Sequence, residues 1–385
     1  MKKTISLLLS LCMMCCLVAC GGGDAEGNGT DTTTTTTSSV TSVSGNTDTD
    51  SVTDSTTDTD SNITDSVTDG SSSETIDPPA PIRVKNLVMA NDQWSERVVI
   101  YDMDKYTEGA SLDDLEIWSI PTGHAAGLKY REGTVFGDVL IVAGSKSAIY
   151  KYPSGVEVWS TTNPGNNTHS IEILPSGNIV VANSTGGNLR FFYSSSVINE
   201  DSLESPQSYV DYPLAGAHGV LWDPENEVLW ALGDYELCAY ILKGEDDTES
   251  LVKVSGMGVE LPKGMTGGHD LSPDYSDTRY LYFTVNSCVL RFDKETNEII
   301  SDFEDSDKLN GIGVKGFSNN PNGVFFMAGI AGGAGTQWED WWKASWCTDT
   351  IYYCFRDADG VLQKIPVVST ESAFYKVRVF YGLYQ

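Results

Sequence analysis

Short apolar segments alternate with polar turns through residues 80–385 of this 385-residue chain. The apolar segment HSIEIL, for example, is followed by a Pro-Ser-Gly turn and then by the apolar segment NIVVAN. Segments of this length, bounded by Pro, Gly, Asn and Asp, are typical of β-strands joined by tight turns. Long amphipathic helical patterns are absent from these repeats, so the pattern predicts an all-β fold.

The strand pattern repeats, and four of the repeats open on a histidine. His124, His169, His218 and His269 are separated by 45, 49 and 51 residues, and they are the four histidines of the chain. Lys315 takes the same place in the next repeat, 46 residues after His269. A period of this length with about four short strands in each unit is typical of propeller blades.

The two ends of the repeat region complement each other. The segments KNLVMAN, RVVIYDM and LEIWSIP supply three strands, and the alternating segment Tyr375–Phe380 supplies one strand without partners of its own. Pairing Tyr375–Phe380 with Val84–Asn91 completes a blade and leaves no sheet edge exposed. The sequence therefore predicts a six-bladed β-propeller at residues 80–385, closed by its N- and C-terminal strands. A seven-bladed ring and a pair of β-sandwiches are the alternatives.

The N-terminal region has the features of a processed and anchored chain. Residues 1–19 are predicted to form a lipoprotein signal peptide, since the segment LVAC that ends at Cys20 resembles a bacterial lipobox. Cys20 is then the predicted lipidation site, and an ordinary secretory signal is the alternative. Residues 20–79 are rich in Ser, Thr and Asp and have little to bury, so they are predicted to form a disordered tether. The protein is expected to be extracytoplasmic and lipid-anchored to a bacterial membrane, at the cell surface or in the periplasm.

Charge and cysteine content narrow the partners further. The formal net charge is −30, of which the propeller region holds about −20. This charge argues against nucleic acid, and against any membrane contact other than the lipid anchor. A monomer is expected. Four cysteines of the propeller region are either paired or free, and the sequence leaves their pairing open: Cys238, Cys288, Cys347 and Cys354.

The repeated histidine position predicts a site at one end of the propeller channel. The first strand of each blade lines the channel, and the loop leading into it lies on the same face as the end of the second strand. Side chains at these two places would meet at one mouth, where a ligand would bind. The predicted ligand-binding residues there are His124, His169, His218, His269, Lys315, Asn183, Asp234 and Asn286.

The sequence leaves open whether these histidines form a pocket and whether they bind a metal ion. They either converge on a pocket or pin their own blades by local hydrogen bonds, as the Gly-His pair does in WD-repeat propellers. No cofactor is expected, although neutral imidazoles at the mouth are a possible site for a divalent metal such as Mn or Zn. Lys315 in the same ring would repel a metal ion, and it favours an anionic group such as a uronate or a sulfate.

A tryptophan-rich segment completes the candidate site. Its tryptophans fall at helical spacing, which predicts a helix with one aromatic face, and Thr336 with Glu339 forms a capping box. Strand counting places this helix between the second and third strands of the last blade, on the histidine face. It either packs on the propeller or offers a stacking wall for sugar rings, and Trp338 and Trp342 are predicted to contact the ligand. The tryptophans of this segment are Trp338, Trp341, Trp342 and Trp346.

Two segments of the sequence resemble the strand pairs of NHL-type and related six-bladed propellers of exported bacterial proteins. These segments are HSIEILPSGNIVVAN and AHGVLWDPENEVLW. The first is also similar to a phrase of the arylsulfotransferase propellers, in which a histidine takes the sulfate, and His169 occupies that place here. The resemblance supports the fold more than an activity. We expect a module that binds an extracellular glycan or a small anionic ligand at the channel mouth. The alternative is a carbohydrate-active enzyme at the same mouth, either a polysaccharide lyase or an arylsulfotransferase-like enzyme.

Overall fold

Twenty-four β-strands make up most of the described chain. A computed structural model describes residues 84–193, 208–329 and 346–383. The predicted signal peptide, the tether with Cys20, and residues Trp338 and Trp342 lie outside the described residues. The described strands form six four-stranded antiparallel sheets, which are the blades of a propeller.

The strands of the first three blades follow the chain, with one exception in blade 1. Blade 1 contains β1 (Leu87–Asp92), β2 (Arg97–Asp102) and β3 (Glu116–Pro121). Blade 2 contains β4 (Ala125–Thr134), β5 (Gly137–Gly144), β6 (Ser147–Lys151) and β7 (Glu157–Thr161). Blade 3 contains β8 (Thr168–Ile173), β9 (Ile179–Asn183), β10 (Asn188–Phe192) and β11 (Tyr209–Pro213).

The remaining three blades repeat this order. Blade 4 contains β12 (Gly219–Asp223), β13 (Val228–Leu232), β14 (Glu236–Lys243) and β15 (Ser250–Glu260). Blade 5 contains β16 (Gly268–Pro273), β17 (Tyr280–Val285), β18 (Val289–Asp293) and β19 (Glu298–Ile300). Blade 6 contains β20 (Gly316–Asn319), β21 (Phe325–Ala328), β22 (Thr350–Arg356) and β23 (Leu362–Val368). The last strand of the chain is β24 (Phe374–Val379).

Strand β24 closes the ring in the predicted way. It pairs with β1 and becomes the innermost strand of blade 1, with Val88 opposite Val379 and Ala90 opposite Val377. The innermost strands of the six blades then pack against one another in cyclic order. The predicted six-bladed propeller with a shared first blade is confirmed.

The helices of the described ranges are short connections. They are the α-helix α1 (Ser306–Leu309) and the 3-10 turns Met103–Lys105, Leu112–Asp114 and Asp246–Thr248. None of these described helices is long and apolar enough to cross a lipid bilayer.

The core lies between the blades. Six apolar clusters of described residues each join two neighbouring blades, and the cluster containing Val99 and Phe326 joins blade 1 to blade 6. Because both faces of a blade are covered, second strands such as β5 and β9 are buried along almost their whole length. This explains why they read as continuous apolar runs. The four cysteines of the propeller region, for which the sequence left pairing open, are free thiols.

Candidate functional site

Strand register, and not sequence spacing alone, decides which side chains reach the channel mouth. In β8, Thr168 pairs with Asn183 and Ser170 with Ala182, so His169 is one extra residue, a β-bulge. His269 is the extra residue of β16 in the same way. A bulge re-aims its side chain, and here it turns both imidazoles toward the mouth.

The same register places Ala126, and not His124, at the equivalent position of blade 2. Ala125 pairs with Gly144 and Gly127 with Ala143, which leaves Ala126 as the bulged residue. His124 lies two residues earlier, where its side chain is 52% exposed and its Nε2 lies 2.9 Å from Glu96 Oε1. The structure therefore does not bring His124 together with the other histidines. The spacing of the repeats predicted this position, and the apolar/polar pattern gives no sign of the bulge.

The other three histidines converge with Lys315. The ring centroids of His169 and His218 are 4.3 Å apart, and those of His218 and His269 are 5.3 Å apart. Lys315 Nζ lies 2.8 Å from His269 Nε2. These four predicted residues come from four successive blades and form one contiguous polar group.

Tyr375 completes this group. The sequence predicts it only as a residue of the closing strand and not as a residue of the site. Its hydroxyl lies 3.2 Å from His169 Nδ1, and the two ring centroids are 5.6 Å apart. An alternating strand shows which residues are apolar but not which of them reaches the mouth. We call His169, His218, His269, Lys315 and Tyr375 the mouth cluster.

Trp346 lies beside the mouth cluster. It is partly buried and packs against the cluster formed by Cys347, Ala373 and Tyr375. Its indole Nε1 donates to Gln93 Oε1 at 3.2 Å. An aromatic side chain of the predicted tryptophan segment is thus present at the edge of the site, while Trp338 and Trp342 lie outside the described residues.

The imidazoles of the mouth cluster are neutral at pH 7. Burial lowers the pKa of His218 to about 3 and that of His269 to about 3, and the ammonium groups of Lys315 and Lys376 add to both effects. Burial, together with His218 and Lys376, holds the pKa of His169 well below its usual range. Adding a proton here would place another positive charge in a site that already contains cations.

Hydrogen bonds fix how these imidazoles present their nitrogens. His218 Nδ1 lies 2.7 Å from the Gly216 carbonyl oxygen, so Nδ1 carries the hydrogen and Nε2 the lone pair. Burial raises the pKa of Tyr375, so its hydroxyl keeps its proton, and this hydroxyl shares a hydrogen bond with His169 Nδ1. The other ring nitrogen of this histidine is Nε2. That atom is buried without a hydrogen-bond partner among the described residues.

The predicted polar residues at the ends of the second strands support the mouth cluster from behind. Asn286 Oδ1 lies 2.7 Å from His269 Nε2. Asn183 Oδ1 accepts from Thr168 Oγ1 at 2.6 Å, and its buried Nδ2 has no partner among the described residues. Burial raises the pKa of Asp234. His218 and His269 each make one hydrogen bond within their own blade, as the pinning interpretation predicts. Their rings also converge with that of His169, as the pocket interpretation predicts.

Glycines in the loops leading to the mouth pack directly on these side chains. A Cβ at Gly216 would come within 2.0 Å of the Asp234 carboxyl, and one at Gly267 within 2.1 Å of Asn286 Nδ2. Both glycines also have positive φ, which other residues rarely adopt. The loop and the second-strand side chain therefore form one rigid support in each of these blades.

Buried charges fill the channel directly below the mouth. Lys376 Nζ donates to the His169 carbonyl oxygen at 3.2 Å and lies 3.3 Å from Asp270 Oδ1. Arg378 also contacts Asp270. Burial lowers the pKa of Lys376 to about 8. The floor of the site is therefore cationic as well as polar.

A second ion network lies farther along the channel. Arg131 binds the Glu172 carboxylate through Nε at 2.9 Å and through its terminal nitrogen at 2.7 Å. Lys129 Nζ lies 3.0 Å from the same carboxylate, and burial lowers its pKa to about 7. These side chains are almost completely buried, so the channel is filled by paired charges.

The described residues contain no group of three or more His, Cys, Asp or Glu side chains placed to hold a metal ion. Lys315 also lies against His269, where its charge opposes a bound cation. The chemistry of the mouth cluster suits a hydrogen-bond acceptor or an anion.

Solved structures with similar folds are distant. The chain is similar to a candidate 6-phosphogluconolactonase from Bacteroides fragilis, with a TM-score of 0.47 and 13% identity over 78% of this chain and 99% of that one. A second candidate 6-phosphogluconolactonase, from Bacteroides uniformis, gives a TM-score of 0.45 and 12% identity over 74% and 82%. A streptogramin B lyase gives 0.39 and 13% over 64% and 71%. No curated protein matches the sequence.

One family model matches the chain, from within β5 to the end of β22. The matched residues are 139–356, more than half of the 385 residues. They include the three converging histidines and Lys315 but not Tyr375, which the closing strand supplies. The chain therefore belongs to the family of unknown function DUF6528.

Proposed function

We propose that this protein binds a small anionic ligand, the carboxylate or sulfate of an acidic sugar, at the mouth cluster. The observation that carries the proposal is His169 Nε2, a buried nitrogen without a hydrogen-bond partner among the described residues. In the proposed complex Tyr375 donates to Nδ1 of this ring, and Nε2 is the donor to the ligand. An unsatisfied buried donor costs about 1–3 kcal/mol, which a bound acceptor would recover.

The charges around His169 favour an anion over a neutral acceptor. Lys315 lies within the cluster beside His269, and Lys376 lies directly beneath His169. An anion removed from water at this place gains from both ammonium groups and from the imidazole donor. The propeller as a whole is acidic, so this local positive field makes the mouth selective and does not attract anions over the rest of the surface.

Binding of an anion should be coupled to proton uptake. His218 and His269 have pKa values of about 3 because they are buried and lie near cations. A bound negative charge opposes both causes and raises these pKa values. The affinity should therefore rise as the pH falls toward 5, and binding should take up protons from the buffer.

A second candidate function is turnover of the ligand by a carbohydrate-active enzyme, a polysaccharide lyase or an arylsulfotransferase-like enzyme. The hydrogen bond between the Tyr375 hydroxyl and His169 Nδ1 favours it, because such a pair can pass a proton. The variant His169→Gln distinguishes the two functions. An enzyme would lose turnover of an acidic oligosaccharide while keeping affinity for it, and a binding protein would lose affinity.

The proposal places the propeller outside the cytoplasm, on a tether anchored at Cys20. A glycan-binding site on a lipid-anchored protein is consistent with capture of carbohydrate at the cell surface or in the periplasm. This part of the proposal rests on the N-terminal sequence.

The test is titration calorimetry with glucuronate and N-acetylglucosamine 6-sulfate, with glucose as the neutral comparison. Wild type should bind at least one of the acids and take up protons, as measured in buffers of different ionisation enthalpy. Lys315→Met and His169→Gln should weaken binding by about 10- to 100-fold, the range for hydrogen bonds to charged groups.

His124→Ala is the matched control, because it removes an exposed histidine that lies outside the mouth cluster. It should bind like wild type. Equal loss of affinity in His124→Ala and His169→Gln, or equal binding of glucose and glucuronate, would refute the proposal.

A further inference from the structure

A groove lies on blade 3, at the end of the propeller where the mouth cluster lies. Its volume is about 600 Å³, and it lies between residues 163–166 and residues 186–190, with Asp211 and Pro213 at its outer end. Clefts that bind ligands have volumes of about 300–1,000 Å³. Gly165 and Asn166 lie four and three residues before His169, in the loop that leads into β8.

The two sides of the groove are held together before any ligand binds. The Ser184 amide donates to the Asn167 carbonyl oxygen at 3.0 Å, and the Gly186 amide donates to the Asn166 carbonyl oxygen at 3.2 Å. Asn167 Nδ2 donates to Ser184 Oγ at 2.9 Å. A rigid groove loses little conformational entropy on binding, which favours affinity.

The inner wall of the groove depends on a close backbone approach. Gly165 has a φ of +127°, and a Cβ there would come within 2.3 Å of the Asn183 amide. Thr168 binds the same Asn183 and precedes His169 directly. The groove wall and the mouth cluster are thus built on one continuous support.

The floor of the groove is polar but carries no net charge. Arg190 binds Asp211 through two hydrogen bonds of 2.8 and 2.9 Å and donates to the Asn163 carbonyl oxygen at 3.0 Å. The guanidinium is also stacked on the Tyr209 ring, 3.8 Å from its centroid. Among the residues lining the groove, Pro213 is the apolar one, and glycines and asparagines predominate.

These features fit a neutral ligand rich in hydroxyl groups. Asparagine amides and backbone groups exposed by glycine both donate and accept hydrogen bonds, as a sugar hydroxyl does. A peptide ligand would need apolar side-chain pockets or a charged anchor, and the described lining offers neither.

We infer that the blade 3 groove binds the neutral sugar units of an acidic oligosaccharide whose charged sugar occupies the mouth cluster. The inference rests on the proposed function, and it adds the substrate class: an oligosaccharide with one acidic unit and a neutral extension.

The experiment compares glucuronate with an oligosaccharide in which one glucuronate is linked to three neutral xylose units. Wild type should bind the oligosaccharide more tightly than glucuronate. Asn166→Ala and Asn188→Ala should each weaken binding of the oligosaccharide by about 3- to 10-fold, as expected for the loss of one hydrogen bond. Both variants should leave glucuronate binding unchanged. Asn322→Ala, in the turn between β20 and β21 at the other end of the propeller, is the control and should change neither.

The outcomes separate the two proposals. If neither probe binds wild type, the proposed function fails. If glucuronate binds but the neutral extension adds no affinity, or Asn166→Ala weakens both probes equally, the groove inference alone is wrong. Tighter binding of a neutral-tailed acidic peptide than of the oligosaccharide, with the same loss in Asn166→Ala, would also overturn it.

Discussion

The hydroxyl of Tyr375 lies 3.2 Å from Nδ1 of His169, although 206 residues separate them in the chain. Tyr375 belongs to the strand that closes the propeller, and His169 belongs to blade 3. Closure of the ring therefore does more than protect a sheet edge, since it supplies a hydroxyl that hydrogen-bonds to an imidazole of the mouth cluster. A propeller that lacked β24 would lose this hydroxyl and Lys376 together.

Tyr375→Phe should weaken binding of glucuronate by about 3- to 10-fold while the protein stays folded. In the proposed complex the Tyr375 hydroxyl donates to His169 Nδ1 and keeps the hydrogen on Nε2, and the variant removes this hydroxyl. The measurement is calorimetric titration, with the melting temperature as a check of the fold. Tyr235→Phe is the control because Tyr235 is 62% exposed. Unchanged affinity in Tyr375→Phe would show that the tautomer does not matter for binding.

Deletion of residues 374–385 should abolish the cooperative unfolding transition, because the opened ring exposes the edge of β1 and the buried channel. Val377→Ala is the milder variant, since Val377 is fully buried between blades 1 and 6. It should lower the free energy of unfolding by about 2 kcal/mol. Val361→Ala changes an exposed valine and should cost far less. Equal effects of the two valine variants in urea denaturation would contradict the role of β24.

Much of the fold could be predicted because each blade repeats the same apolar pattern. Counting strands from the four histidines gave six blades, and the single strand at Tyr375–Phe380 indicated closure. The site was harder to predict. His169, His218, His269 and Lys315 were named from spacing, but spacing also chose His124, which the bulge at Ala126 leaves outside the cluster.

The buried ions of the channel were missed for a different physical reason. Lys129, Glu172 and Arg378 occur in first strands, where a charged residue is usually interpreted as facing solvent. Period-two alternation shows that a residue lies on one face of a strand, but not that this face lines a closed channel. Their partners lie 41 or more residues away in the chain, so no local pattern pairs them.

Glu172→Gln should destabilise the propeller by about 3–5 kcal/mol, because it leaves Arg131 and Lys129 buried without their carboxylate. Glu157→Gln is the matched control. Glu157 binds Lys146 at 2.7 Å, but both side chains are partly exposed, so its loss should cost less than about 1 kcal/mol. Urea denaturation at pH 7 measures both. If the free energy of unfolding falls equally in the two variants, burial does not make the Glu172 ion pairs more important for stability than an exposed ion pair.

Cys20→Ala should release the protein from membranes if the chain is acylated at that residue. The lipobox motivates this prediction, since the modifying enzymes require the thiol. Fractionation of cells expressing the full chain measures it, and Cys347→Ala, which changes a cysteine within the propeller, is the control. A Cys20→Ala protein that still sediments wholly with membranes would require a different anchor.

Acid should destabilise the propeller through the mouth cluster. The pKa of His218 and that of His269 are about 3 in the folded chain, against about 6.5 in the unfolded chain. Between these values the unfolded state binds more protons, so the free energy of unfolding falls as the pH falls from about 6.5 toward 3. Each histidine contributes up to about 1.4 kcal/mol per pH unit to this slope.

His218→Gln should therefore reduce the loss of stability between pH 6.5 and pH 5, a range in which most carboxyl groups stay ionised. Lys315 and Lys376 face the same site, and they add to the cost of charging the imidazoles. His124→Gln is the control, because it removes a histidine that lies outside the mouth cluster. Urea denaturation at several pH values gives the slopes. An equal slope for wild type and His218→Gln would mean that His218 is already protonated in the folded protein at pH 5, and the neutral mouth cluster would have to be abandoned.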